Sequence, residues 1–212
     1  IPLPPIEVQQ EIVAEIESYQ KVIDGARQVV ENYKPFIHFK PDWPIIKLEK
    51  LAEERKIEFL RGQGISKKDL KVNGKYKCIH YGELYTIYHP IIKNVISRTD
   101  YKGKVLSVAG DVLVPGTTTA DSFGIAVARS LNEDGVIIGG DINVIRTLNK
   151  YISSNFLSFV INFSPIKEVL ASFAKGANII HLSNSDLSRL QIPIPDIDVQ
   201  NNIVTEIEKN LE

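Results

Sequence analysis

The chain has 212 residues, of which 43% are hydrophobic and 24% charged, with a formal net charge of −1. These are ordinary values for a globular protein and exclude wholesale disorder. The near-neutral sum weighs against a uniformly basic nucleic-acid binder, but it permits a local basic face offset by acids elsewhere.

The chain opens on a phrase that it repeats. Residues 1–18 read IPLPPIEVQQEIVAEIES and residues 192–209 read IPIPDIDVQNNIVTEIEK, ungapped, with eleven of eighteen positions identical at an offset of 191. Ungapped identity of this extent marks one full period of a longer design: helix, globular body, then the start of the same helix again. Pro2, Pro4 and Pro5 hold the first residues extended, and Glu7 onward is free to be helical. Acidic residues load the N-terminal half, favourably for the helix dipole, and Pro35 stops the run. Ile12, Ile16, Tyr19, Ile23, Ala26, Val30 and Tyr33 are spaced alternately by four and three, a heptad seam over about three heptads. A helix over 6–34 would be roughly 40 Å long at about 1.5 Å per residue, so the seam needs a long partner.

Residues 35–45 hold three prolines and read as a linker, with Trp43 pinning it to the body. Residues 46–60 predict a short helix. The stretch from Arg61 to Lys77 is polar, glycine-containing and basic, with a turn signal at Val72-Asn73-Gly74-Lys75. From Tyr76 to about Gly140 the pattern is strand-like, rich in Val, Ile and Tyr and punctuated by Gly, Asp and Asn. Residues 151–174 return to helical spacing as two short helices broken near Pro165. A short strand and a helix start capped by Ser183 or Ser185 then lead to the second phrase. The expected fold class is α+β: a mixed, mostly antiparallel sheet with short helices, a long N-terminal coiled-coil-type helix and a truncated second one. The expected divisions are 1–34, lead-in and long helix; 35–45, linker; 46–191, body; and 192–212, repeated phrase.

The lone Cys78 cannot form an intramolecular disulfide, and His38, His80, His89 and His181 have no metal spacing, so no metal site is expected. A buried, inert thiol suits a reducing cytoplasm. No apolar run reaches membrane-spanning length and no segment resembles a signal peptide, so no membrane partner is expected. The chain starts at Ile1 and contains no Met, which reads as a piece of a longer protein.

The residues carry a resemblance at this point. The phrase I-P-x-P followed by Gln and Ile-Val, seen at Ile1–Val13 and Ile192–Val204, resembles the DNA-specificity (S) subunits of type I restriction–modification enzymes. It equally resembles the matching specificity segment of methyltransferase fusions. Asp186-Leu187 before the second phrase, Gly110-Asp111-Val112-Leu113 in the body and Gly176–Leu182 near its end fit the same pattern. The resemblance implies a non-catalytic target-recognition domain that reads one half of a bipartite double-stranded DNA site. Spacer helices would set the distance between halves. Implied partners are adenine methyltransferase (M) subunits or a methyltransferase domain, with the restriction (R) subunit and a homodimer through the spacer helices as further partners. No cofactor is implied in this chain; S-adenosylmethionine, ATP and Mg belong on the partner subunits. This chain departs from the family in holding one recognition domain instead of two.

DNA binding needs phosphate contacts, then base contacts. Phosphate candidates are Lys67, Lys68, Lys71 and Lys75 on a flexible loop, then Arg98 with Lys102 and Lys104, then Lys175. The three threonines Thr117, Thr118 and Thr119, in the loop after the Gly-Asp-Val-Leu strand, suit backbone hydrogen bonding to phosphate. Base-reading candidates beside turns are Gln63, Asn73, His80, Tyr81, Arg98, Arg129, Asn143 and Asn178, since Arg, Asn and Gln offer the paired donors and acceptors that base edges require.

Rival classes fare worse. The Asn/Asp-Pro-Pro-aromatic signature of adenine methyltransferases is absent, and Gly62-Gln63-Gly64 is too short for a nucleotide loop. Asp42 with Glu54-x-Lys56 recurs by chance and falls in a predicted helix, where a nuclease needs a strand. A helical scaffold that docks methyltransferase subunits without reading bases is the alternative, carried by the heptad seam.

Overall fold

The computed structural model describes residues 3–32 and 35–211. It divides into two compact units, Ile1–Pro35 and Phe36–Glu212.

The first unit is helix α1, Ile6–Asn32. It starts where the prolines end, and the Gln9 side-chain amide donates back to Pro4 O at 2.7 Å. Tyr19 reaches Glu15 and Gln20 reaches Asp24, each one turn away on the helix surface. The seam lies along it: Ile12, Ile16, Tyr19 and Ile23 are 47%, 60%, 60% and 52% exposed. Ala26 is exposed too, Val30 falls within α1, and Tyr33 lies outside the described residues.

The second unit opens differently from expectation. Residues 46–60 do not form one helix. They give β1 (Ile45–Lys47), α2 (Leu48–Glu53) and β2 (Ile57–Arg61). Arg55 takes φ +52°, which reverses the chain and closes α2 through Lys56 N to Leu51 O at 2.8 Å. IEFLR then pairs as a strand, because its β-branched and aromatic side chains find a sheet to bury against. The segment expected as a linker belongs to this unit as well, with Ile37 and Trp43 buried.

The body continues with β3 (Leu70–Lys71), β4 (Tyr76–Ile79), α3 (Glu83–Thr86), β5 (Ile91–Ile92) and β6 (Arg98–Thr99). Helix α3 stands inside a stretch read as strand. The Glu83 carboxylate accepts from His80 N at 2.6 Å and from the Ser97 hydroxyl, which winds the chain locally. Then come β7 (Asp111–Pro115), β8 (Thr117–Thr118), α4 (Ser122–Ile125), β9 (Arg129–Leu131), β10 (Ile137–Ile138) and β11 (Ile142–Thr147). Helix α4 falls mostly in the expected threonine loop, capped by Asp121, which accepts from Gly124 N at 2.6 Å. Helices α5 (Ser154–Phe163) and α6 (Ile166–Phe173) break at Pro165 with a bend of 79°. The chain closes with β12 (Ile180–His181), α7 (Asn184–Ser188, capped by Ser183), β13 (Gln191–Pro193) and α8 (Ile197–Leu211).

The central sheet has the order β2-β11-β7-β9-β5, antiparallel except for β5 beside β9. A second sheet, β10-β4-β6-β3, is likewise mixed. Strand periodicity splits β7 between two cores. Val112 and Val114 face α5 with Phe156 and Phe159, while Leu113 faces Ile79, Leu84 and Ile138. Every residue of β7 is buried, which explains its unbroken apolar run. Asp111 at its start is 0% exposed and receives both Nε and Nη2 of Arg146, its cross-strand neighbour, at 2.9 Å. The Gly-Asp-Val-Leu motif is therefore a sheet clamp. Among the described residues no single helix is long and apolar enough to cross a membrane.

The second phrase is packed into the body. β13 pairs antiparallel with β1, and Gln200 on α8 is 0% exposed. Its amide donates to Pro195 O at 2.8 Å, the counterpart of Gln9 to Pro4. It also donates to Tyr151 O at 3.2 Å and accepts from Ser153 N at 2.9 Å.

Candidate DNA interface

Three loops leave the same end of the central sheet. The register places Arg61 opposite Asn143 and Ile142 opposite Pro115. The loop after β2, the loop after β7 and the turn before β11 therefore emerge together. Backbone bonds tie them: Gly62 N to Ile142 O at 2.9 Å, Gln63 N to Ile138 O at 3.1 Å, Gly140 N to Gly64 O at 2.6 Å, and Gly116 N to Asp141 O at 2.7 Å. A fourth segment joins through Leu182 N to Gly116 O at 3.0 Å and through the β8–β12 pairing. A Cβ on Gly62 would lie 2.0 Å from Gly139 O, so only glycine permits this crossing. Ile65 takes φ +51°, a strained conformation for a β-branched residue, and is held there by burial beside Cys78 and Ile137.

A polar layer supports the loops from beneath. Asn143 is 0% exposed, donates to Leu182 O at 2.8 Å and accepts from Arg61 Nη1 at 2.8 Å. Arg61 Nη2 bonds Asp141, itself at φ +60°, at 2.9 Å. Asn143 is thus a brace and not a base reader. Sequence reasoning misses Asp141; its signal is the Gly139-Gly140-Asp141 turn ahead of a strand.

Other candidates also prove internal. Thr117 and Thr118 are 8% and 7% exposed, held in β8; Thr117 O accepts from Tyr85 Oη, and Thr118 Oγ1 accepts from Ala120 N. Only Thr119 of the three is exposed. Arg129 is 9% exposed, with Nη1 spent on Ala128 O and Asn162 Oδ1. Burial pulls its pKa down to about 10. It cannot reach a base from there. Arg98 is half-buried and ties the β3–β4 turn through Nε to Gly74 O at 2.7 Å. Lys71 is exposed but bonds Asp100 at 2.8 Å, and that hydrogen bond lowers the Asp100 pKa.

Gln63, Lys67, Lys68, Thr119, Lys175 and Asn178 stand exposed on the converging loops. Lys67 and Lys68 sit on a 3-10 turn, Lys67–Asp69, and not on the flexible loop expected. Ser66 N and Oγ both donate to Asp69 Oδ2, at 2.7 and 2.8 Å, and these bonds hold the Asp69 carboxyl below its ordinary pKa. Lys175 is fixed by its backbone bridge to His181, an exposed histidine on the same segment. Tyr81 is half-buried, its ring 4.5 Å from that of His80. His80 accepts from Gly82 N through Nδ1 at 3.2 Å. Burial first, and Lys67 as a lesser cause, lower its pKa. At neutral pH it is therefore uncharged, with Nε2–H left as a donor. Asn73 and Lys75 are exposed on the β3–β4 turn of the second sheet, away from the sheet end that gathers the other loops.

This arrangement gathers fixed donors, amides and cations at one sheet end. Residues 42–210 match the family model for the type I restriction modification DNA specificity domain. No curated protein sequence matches the chain. The structure is similar to the HsdS subunit from Thermoanaerobacter tengcongensis, with a TM-score of 0.61, 18% identity, and coverage of 99% of this chain and 52% of that one. A chain of a type I R-M system, solved in a study of its complex assembly and conformational transition, gives 0.60 at 17% identity, covering 99% and 53%. The type I S subunit from M. genitalium gives 0.56 at 16% identity, covering 84% and 41%. The chain thus spans about half the length of the first two solved relatives. At these identities the likeness speaks for the fold, and the family model, running from the linker to the last turns of α8, speaks for descent: the chain belongs to the type I restriction modification DNA specificity domain family.

Proposed function

We propose that this chain is a target-recognition domain that reads one half of a bipartite DNA site and directs methyltransferase and restriction subunits to it. The observation that carries the reading is the convergence of four segments at one sheet end, with Gln63, Lys67, Lys68, Thr119, Lys175 and Asn178 exposed on them. Amide side chains there suit adenine edges, and the lysines suit phosphates. The domain does no chemistry of its own. S-adenosylmethionine, ATP and Mg are held by the partner subunits, and the complex works in the cytoplasm. Methylome sequencing of a host that expresses this domain together with its restriction–modification system tests this. A bipartite motif is expected, one half of which changes when this domain is exchanged for a relative's. A motif unaffected by the exchange overturns the proposal. The exposed seam of α1 supports a second role that coexists with the first: helix-on-helix docking, either to another copy or to a spacer helix of a partner.

A further inference from the structure

Arg129 is buried in a way that the body does not explain. It is nine-tenths buried, its Nε has no hydrogen-bond partner, and among the described residues it forms no ion pair. A guanidinium taken out of water without a carboxylate is costly and persists where something offsets it. It lines a cleft of about 900 Å³. The cleft runs along β5, the edge strand of the central sheet, and adjoins the loop after β7, whose Thr117 O accepts from the cleft residue Tyr85. Its walls are mainly apolar, with Phe159 and Phe163 beside polar His89 and Asn162, and its rim carries Ile87, Ile96 and Leu211, which are 44%, 68% and 48% exposed. The lining holds Lys93, Lys167 and Arg129 against one carboxylate, Glu208. Large exposed isoleucines around a hole with a buried cation in its wall describe an anchor pocket of a protein interface.

We propose that this cleft docks a segment of a partner protein that inserts an Asp or Glu side chain toward Arg129, flanked by large aliphatic or aromatic residues seated between Ile87, Ile96 and Leu211. A strongly hydrated DNA phosphate suits an apolar wall poorly, whereas a carboxylate carried by an apolar peptide desolvates both partners at once. The companion methyltransferase and restriction chains are the source to search, a choice that rests on the function proposed above.

Overlapping fluorescein-labelled 15-residue peptides spanning those companion chains, titrated against the full chain by fluorescence anisotropy, test the docking. At least one acidic–apolar peptide is expected to bind. Replacing its acid by the matching amide should weaken it by about tenfold or more, the scale of one charge-assisted hydrogen bond. Ile96→Ser, a change at an exposed side chain, should weaken it comparably, and Arg129→Met should abolish it. If Arg129→Met fails to fold, Ile96→Ser and the peptide's own acid-to-amide swap carry the test. Absence of any binding peptide overturns the proposal. So does indifference to the acid-to-amide swap, displacement of the peptide by duplex DNA, or saturation of the site by free glutamate. A DNA titration of the Ile96→Ser chain keeps the two readings apart. Lost peptide binding with unchanged DNA affinity supports the cleft, and absent DNA binding with intact peptide binding counts against the DNA reading alone.

Discussion

Lys67 and Lys68 differ from Lys71 in a way that decides their weight in binding. The first two project from a turn whose cap is internally satisfied, while Lys71 already holds Asp100. A cation released from an existing carboxylate gains less from a phosphate than one facing water. Lys67→Ala with Lys68→Ala is expected to weaken DNA binding by the assembled enzyme across all sequences and to reduce the salt slope by about one per phosphate no longer neutralised. Lys71→Ala should do distinctly less; equal effects measured by anisotropy over a salt series would refute the ranking. Cys78 gives a second expectation at this scale. Burial pushes its thiol up to about 11, so the reactive thiolate is scarce near neutrality. The native chain should show no fast thiol toward Ellman's reagent at pH 8, and one equivalent after denaturation. The same shift sets a pH dependence: the folded state favours the protonated thiol, so stability is full below the unfolded thiol's pKa of about 8.5 and declines as pH rises from there toward about 11. Residue types at turns were legible in the sequence, whereas burial was not. Thr117, Arg129 and Asn143 looked like surface readers because only the tertiary pairing of β8, β9 and β11 covers them.

At the scale of elements, the two copies of the phrase form the same lead-in but hold different surroundings. In each, a proline carbonyl accepts the glutamine amide five residues on, at 2.7 Å for Gln9 and 2.8 Å for Gln200. Only Gln200 also joins Tyr151 and Ser153 across the body, and it is buried with Val204 and Ile207, whereas their counterparts Val13 and Ile16 are exposed. Gln200→Ala strands the buried Pro195 carbonyl and the half-buried Ser153 amide and Tyr151 carbonyl and should cost about 2–4 kcal/mol. Gln9→Ala removes a bond within the first unit and should leave the body's stability within about 0.5 kcal/mol. Trp43, the one tryptophan and itself buried in the body, reports urea unfolding of both variants. Equal losses would show that the lead-in bond, and not the packing of Gln200 against the body, carries the energy. The repeat and the heptad spacing were plain in sequence because each is a local pattern with its own period. The strand β2 and the helices α3 and α4 were not, since Arg55 at positive φ, the Glu83 carboxylate and the Asp121 cap redirect short segments that lack any period.

For the whole molecule, the question is what keeps a 27-residue helix folded in water. Helices in proteins gain most of their stability from a packed apolar face, and the one here is displayed with Ile12, Ile16, Tyr19 and Ile23 about half exposed or more. Alternate spacings of four and three match the seam to another helix of the same period, and on the docking role proposed above the same helix in a second copy would supply it. The expected outcome is reversible, concentration-dependent dimerisation of the chain in sedimentation equilibrium. Ile16→Lys with Ile23→Lys places like charges in the seam and should leave a monomer with less helical ellipticity at 222 nm. Neither residue belongs to the body, so the denaturation curve followed by Trp43 should stay where it was. A wild-type chain that remains monomeric at every concentration, with α1 still helical, would refute self-pairing and leave the seam to a helix of another chain or domain. Loss of body stability in the double variant would show instead that α1 is held by its own recognition domain.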